Sequence, residues 1–258
     1  MLRSLLLALV CLPVRAAQEF EERKLMNLRA NMHNAFMQDY LREGKTTLEA
    51  APGWLRSAGA TLAAKAAMGL NRSWHFYVVQ EASPEIRSTP YGTLIVHQGA
   101  LDLGLTHDET GALAAQEMAH IAQDHGVQLL IAKMAQEELG EFTASEHGEK
   151  SGQIARLREI VQQLRYTLKQ EAEADRLAMG MLDKAGMKPE SLLSALKKIR
   201  AKPIRILAAK KYLDSVRSGR AEFELPKVSG KPEIGRPTYM RRAMDEGYDY
   251  KKPLGRKK

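Results

Sequence analysis

The sequence predicts an α+β fold, mostly helical, with a small and mostly antiparallel sheet. Three observations carry this. Two short runs, Trp74–Gln80 (WHFYVVQ) and Thr93–His97 (TLIVH), are rich in the aromatic and β-branched residues that strands favour. Around them lie long stretches with apolar residues at helical spacing, several of them Ala-rich and free of Gly and Pro. The composition over 258 residues, 44% hydrophobic and 27% charged, is that of an ordinary globular protein of one domain or two small ones.

Taken in order, residues 18–41 read as an amphipathic helix, because Leu25, Leu28, Met32 and Phe36 recur about once per turn. Residues 46–70 read as a second helix, with Pro52-Gly53 as a break near its start. The two strands follow, joined by residues 81–92. Pro84, Pro90 and Gly92 mark that segment as a loop or irregular edge. A short helix is expected from Gly99. Thr106, followed three residues later by Glu109, has the capping-box spacing that starts the next helix. Residues 112–125, ALAAQEMAHIAQDH, continue it. Residues 127–170 read as a long polar helical stretch turned at Gly140, Gly148 and Gly152. Residues 171–185 continue as helix, with Gly186 and then Pro189 as stop signals. Two further helices are expected at 189–200 and 202–219. The last residues, rich in Pro and Gly, read as extended chain.

The charge is unevenly placed. Net charge is +8, yet residues 226–258 hold ten Lys/Arg against four Asp/Glu, and residues 18–225 hold 27 of each sign. The excess belongs to a tail, so a nucleic-acid partner is not expected. Peripheral contact of that tail with a membrane stays open. Residues 1–17 hold Arg3, an apolar run and Ala16-Ala17, which reads as a secretory signal, with a mitochondrial presequence as the competing reading. The expected division is thus a signal over 1–17, a domain over 18–225 and a basic tail over 226–258. The single cysteine, Cys11, lies in the signal, so no disulfide is expected afterwards. An exported, periplasmic or secreted protein follows, or a mitochondrial one.

The chemistry-bearing stretch is the Ala-rich helix. Gln116 and His120 are four residues apart and share a face, with Glu117 beside them. This is the H-E-x-x-H pattern of zinc peptidases with its first histidine replaced by glutamine. Fifty-one residues after His120 comes Glu171-Ala172-Glu173-Ala174-Asp175, which puts Glu171 and Asp175 on one helical face.

With TPYGTLIVHQGALDL, THDETGALAA, QEMAHIAQDH and EAEADRLAMGMLDKAG in that order, the chain resembles the HtpX-like and CAAX-prenyl-protease-like gluzincins, which include the mitochondrial Oma-type enzymes. The resemblance covers about residues 74–186. It implies a metal helix and a Glu171 helix facing each other across a cleft. It further implies zinc held by His120, Glu171 and the residue at 116, with Glu117 as general base toward the metal's water. Asp175 would hold the N–H of a ligand histidine. Ser88, Thr89, Pro90, Tyr91 and Gly92 would form the edge on which an extended polypeptide substrate lies as an added strand. His125 matches a histidine common in the family and reads as structural.

Two departures bear on activity. Gln116 replaces an imidazole with an amide, a poor zinc ligand, and should cost at least about 10–100-fold in metal affinity. Lys231 stands where similar proteins often carry a histidine. A rescue would have Gln116 give its oxygen to zinc and its N–H to Asp175. The sequence therefore supports a zinc metalloendopeptidase with a weakened site, or a relative without catalysis that binds extended or misfolded chains as a holdase or adaptor.

Overall fold

The computed structural model describes residues 25, 27–37, 40, 49–66, 74–136, 159–161, 163 and 165–226. Residues 1–17, the glycines at 140, 148 and 152, Lys231 and the basic tail lie outside them. In chain order the elements are α1 (27–37), β1 (Glu49–Ala50), α2 (Gly53–Lys65), β2 (His75–Val79), β3 (Ile86–Ser88), β4 (Thr93–His97) and α3 (Gln98–Leu101). Then come α4 (His107–Ala122), α5 (His125–Gln136), a helical piece α6 (159–161), α7 (Leu168–Ala185), α8 (Glu190–Lys198) and α9 (Pro203–Arg217).

The sheet has the order β1-β2-β4-β3. Two of its three pairings are antiparallel, as expected, but the central pair β2–β4 is parallel. β3 folds back on β4 as a hairpin from the outer side, so β4 enters between β2 and β3 and runs alongside β2. Every residue of β4 is buried, as a central strand covered on both faces requires. Its side chains alternate. Leu94 and Val96 join Phe76 and Val78 in a core with α2, α4, α7, α8 and α9. Ile95 turns the other way and packs with Val79, Met32, Phe36, Val127 and Ile160.

β3 falls inside the segment read as a loop or irregular edge. It has three residues, Ile86, Arg87 and Ser88, too few to show a strand pattern, and β4 pairing imposes the extended conformation. β1 falls inside the stretch read as the second helix, which starts only at Gly53, after Pro52. The stretch read as helical across 127–170, turned at its glycines, is also interrupted at 165–167. There Thr167 begins α7, its hydroxyl taking the Gln170 backbone N–H while the Gln170 side chain accepts from the Thr167 N–H.

α4 is the buried centre of the molecule. It packs against α7, α8, α2 and β3, and its small residues Ala112, Ala114, Ala115 and Ala119 permit the close approach. Thr106 and Glu109 form the capping box at its start. Glu109 does further work: Ser194 and Lys198 of α8 donate to it at 2.5 and 2.7 Å, tying the two helices together. The expected helix 112–125 is divided at Asp124, whose φ of 53° is left-handed. Arg29 of α1 holds the Asp124 carboxylate with two bonds. At the far end, Gly180 of α7 lets the segment after α9 cross directly over it. A Cβ there would stand 1.8 Å from the Glu224 carbonyl oxygen. Tyr212 of α9 secures the crossing, donating to the Glu222 carbonyl at 3.1 Å and accepting from the Glu224 N–H at 2.9 Å.

Candidate metal centre

α4 and α7 lie side by side and bring four of the sequence-selected residues to one point, Gln116, Glu117 and His120 from α4 and Glu171 from α7. The helices supply the register. Residues 116 and 120 are one turn apart on the wall facing α7, and Glu171, in the first turn of α7, reaches across. His120 Nε2 and Glu171 Oε2 are 3.5 Å apart. A cleft of about 440 Å³ opens over them, lined also by Glu85, Ser88, Tyr166, Lys202 and Arg205.

Hydrogen bonds tie these side chains together. The Gln116 amide nitrogen donates to Glu171 Oε2 at 2.9 Å and faces His120 Nε2 at 3.2 Å. His120 Nδ1 and His125 Nδ1 share a hydrogen bond of 2.9 Å, and His125 Nε2 stands 3.7 Å from Glu173. Burial first, and His120 second, hold the His125 pKa at about 4, so it is neutral. His125 thus orients the His120 ring, while Tyr166 stacks flat on that ring at 3.7 Å.

Arg205 of α9 is the residue the sequence reading missed. Its guanidinium bonds both Asp175 oxygens, Nε at 2.8 Å and Nη2 at 2.7 Å. Nη1 stands 3.0 Å from Glu171 Oε2, the oxygen that Gln116 also addresses. Burial works to lower the Arg205 pKa, but Asp175 and Glu171 outweigh it and raise it further. Burial alone would raise Glu171. The contact with His120 and the Arg205 charge reverse that and keep it below the usual carboxylate range. Asp175 is 2% exposed and both its oxygens belong to Arg205, so it orients a guanidinium and not the side chain at 116. A single arginine bordered by Ile204 and Ile206 was the available signal, because an arginine on an apolar helix flank needs an acid to meet.

Glu117 is buried and accepts from Ser88 Oγ at 2.6 Å. Loss of water pushes its pKa up, partly offset by His120 and the Ser88 bond. Of the five residues expected to form the substrate edge, only Ser88 lines the cleft. Thr89, Pro90 and Gly92 are buried in the β3–β4 turn, closed by the Gly92 N–H to the Thr89 carbonyl at 3.0 Å. Thr89 bonds His33, and Tyr91 packs edge-on to the same ring. The exposed edge is β3 itself. The Thr89 N–H bonds the Thr93 carbonyl and the Glu85 carbonyl takes the His97 N–H. Alternation along an antiparallel ladder then turns the N–H and C=O of Ile86 and Ser88 outward.

A zinc ion of the expected kind fits this centre only in part. Two tetrahedral ligands at ordinary zinc distances stand roughly 3.3 Å apart, close to the His120–Glu171 spacing. The third corner is the weak one. Gln116 can offer an ion only its amide oxygen, a poorer zinc ligand than imidazole, and in this arrangement its amide nitrogen faces Glu171 Oε2 at 2.9 Å. Arg205 already places a positive charge on the Glu171 oxygen that a metal would take. Among the described residues, no group of three or more His, Cys, Asp or Glu side chains is arranged to hold a metal ion. His120 and Glu171 fit two corners of a zinc site, and Gln116 and Arg205 stand where a third ligand and the ion's charge would be.

The family model for peptidase family M48 covers residues 49–232, which spans β1 through α9. No curated protein matches the chain.

Proposed function

The chain belongs to peptidase family M48, a family of metallopeptidases that are generally zinc-dependent, and from that premise we propose that this member has a silenced metal centre and uses its cleft to hold extended polypeptide. The observation that carries the reading is the closed set of bonds on Glu171 Oε2. Gln116 and Arg205 supply the positive and hydrogen-bonding partners that a zinc ion would otherwise supply.

The peptide-holding half rests on β3. An edge strand with outward Ile86 and Ser88 backbone groups, standing beside a cleft, accepts an added strand through main-chain hydrogen bonds that ignore side-chain identity. This suits a holdase or adaptor for unfolded segments. The other reading, a slow zinc metalloendopeptidase acting on such segments, draws on the 3.5 Å spacing of His120 and Glu171 and on Glu117 standing beside them.

Metal analysis of the purified protein, together with proteolysis of casein by wild type and Glu117→Ala, separates the two. The silenced reading expects zinc well below one per chain and no cleavage in either protein. Stoichiometric zinc with cleavage that disappears in Glu117→Ala would establish the peptidase instead.

A further inference from the structure

The α8–α9 corner presents a surface beside the cleft, sharing Lys202 with its wall. Residues 191–213 contain seven Lys/Arg and no Asp or Glu. Two of the seven are committed internally, Lys198 to Glu109 and Arg205 to Asp175. Lys210 pairs with Asp214 on the surface. Lys197, Arg200, Lys202 and Lys211 are exposed. Between them stand Ile204 and Leu207, 62% and 65% exposed, the most exposed large aliphatic side chains among the described residues.

Their placement follows the helix. Positions 204, 207, 208 and 211 share one face of α9, while Ala209 and Leu213 on the opposite side are buried against the core. A lone exposed leucine is ordinary. Two aliphatic side chains on one ridge, bordered by cations and with the nearby acid Asp214 paired to Lys210, match the chemistry of a lipid–water interface, where apolar tips enter the acyl boundary and lysines meet anionic headgroups. No described helix is long and apolar enough to cross a membrane, so such contact is peripheral. We propose that this corner docks on an anionic lipid surface, with Ile204 and Leu207 inserted and Lys197, Arg200, Lys202 and Lys211 on the headgroups.

The test is co-sedimentation of the purified chain with vesicles of phosphatidylcholine alone, and of phosphatidylcholine with a minority of phosphatidylglycerol. Binding should require phosphatidylglycerol and weaken with salt. The double variant Ile204→Ser/Leu207→Ser should lose roughly tenfold or more in partitioning, as should Lys197→Gln/Lys211→Gln. Both should keep the wild-type melting temperature, since all four side chains are exposed. A chain lacking residues 233–258 should still bind. Absence of binding to the anionic vesicles would overturn the proposal and point to an acidic protein partner. So would wild-type binding by the Ile204/Leu207 variant, or binding that vanishes only with residues 233–258. Equal binding to both vesicle types at all salt concentrations would remove the role given to the lysines.

Discussion

Arg205 grips Asp175 through two parallel hydrogen bonds, 2.8 and 2.7 Å long, in a part of the protein where the carboxylate is almost wholly shielded from water. Such a pair is costly to break from one side, because the partner left behind is a buried charge. Arg205→Ala should therefore lower stability by about 3–5 kcal/mol. Replacing both members, Arg205→Met with Asp175→Leu, should cost much less than the sum of the single changes. Urea melts of the four proteins measure the coupling. Additive losses would mean that the pair contributes nothing as a pair.

The same guanidinium bears on metal. Gln116→His restores an imidazole but leaves Arg205 against the Glu171 oxygen. That variant should bind zinc weakly. Adding Arg205→Met should strengthen binding by at least about tenfold, since one repelling charge beside the ion is removed. Chelator competition reads the affinity, and the shift in melting temperature on adding zinc reads it independently. Equal affinity in the single and double variants would show that Arg205 does not oppose the ion.

Peptide capture on β3 is tested at Ser88, whose N–H points outward while its hydroxyl bonds Glu117. Ser88→Pro removes the N–H, which an edge strand tolerates on its open side. Ser88→Ala removes the hydroxyl alone. Fluorescence anisotropy of a labelled unfolded peptide should show binding weakened several-fold by Ser88→Pro relative to Ser88→Ala, the loss of about one hydrogen bond. Matching affinities would exclude strand addition at this position.

Acid should destabilise the protein in two steps. Burial first, and neighbouring His75 second, hold the His33 pKa at about 4 against 6.5 for a free histidine. The unfolded chain thus takes up a proton below pH 6.5 that the folded chain refuses until about pH 4. The stability is complete above pH 6.5 and is lost between those values, by about 3 kcal/mol at most. His125 adds a loss of the same sign in the same window. Glu109, held at about 2 by Lys198, Ser194 and the Thr106 N–H against the opposing effect of burial, gives up its share as pH falls from 4.5 toward 2. Urea midpoints of wild type and His33→Gln should show a shallower decline for the variant between pH 6.5 and 4. An unchanged slope would place the sensitivity elsewhere.

The sequence made α4 and α7 readable for local reasons. Thr106 with Glu109 is a capping box where expected, and Gly186 ends α7 at a φ of 76° that favours glycine. The convergence of His120 and Glu171 was implied by the resemblance to the gluzincins, not by the spacing alone. What stayed hidden was set by partners distant in the chain. β3 exists because β4 pairs with it, and Ile86-Arg87-Ser88, standing between prolines, is too short to carry a strand pattern of its own. Arg205 is 30 residues from Asp175 and 34 from Glu171, and an arginine in a helix is ordinarily solvated. The start of α7 was missed although Thr167 and Gln170 form the same kind of box as Thr106 and Glu109.

The crossing at Gly180 has a mechanical consequence. With no side chain on α7 at that point, the segment that leaves α9 lies flat on the domain and is latched by the Tyr212 hydroxyl from both sides. Tension applied from beyond residue 226 would load this latch first, and through it α9. One added methyl group at position 180 would lift the segment away and shift the anchorage onto α9 alone.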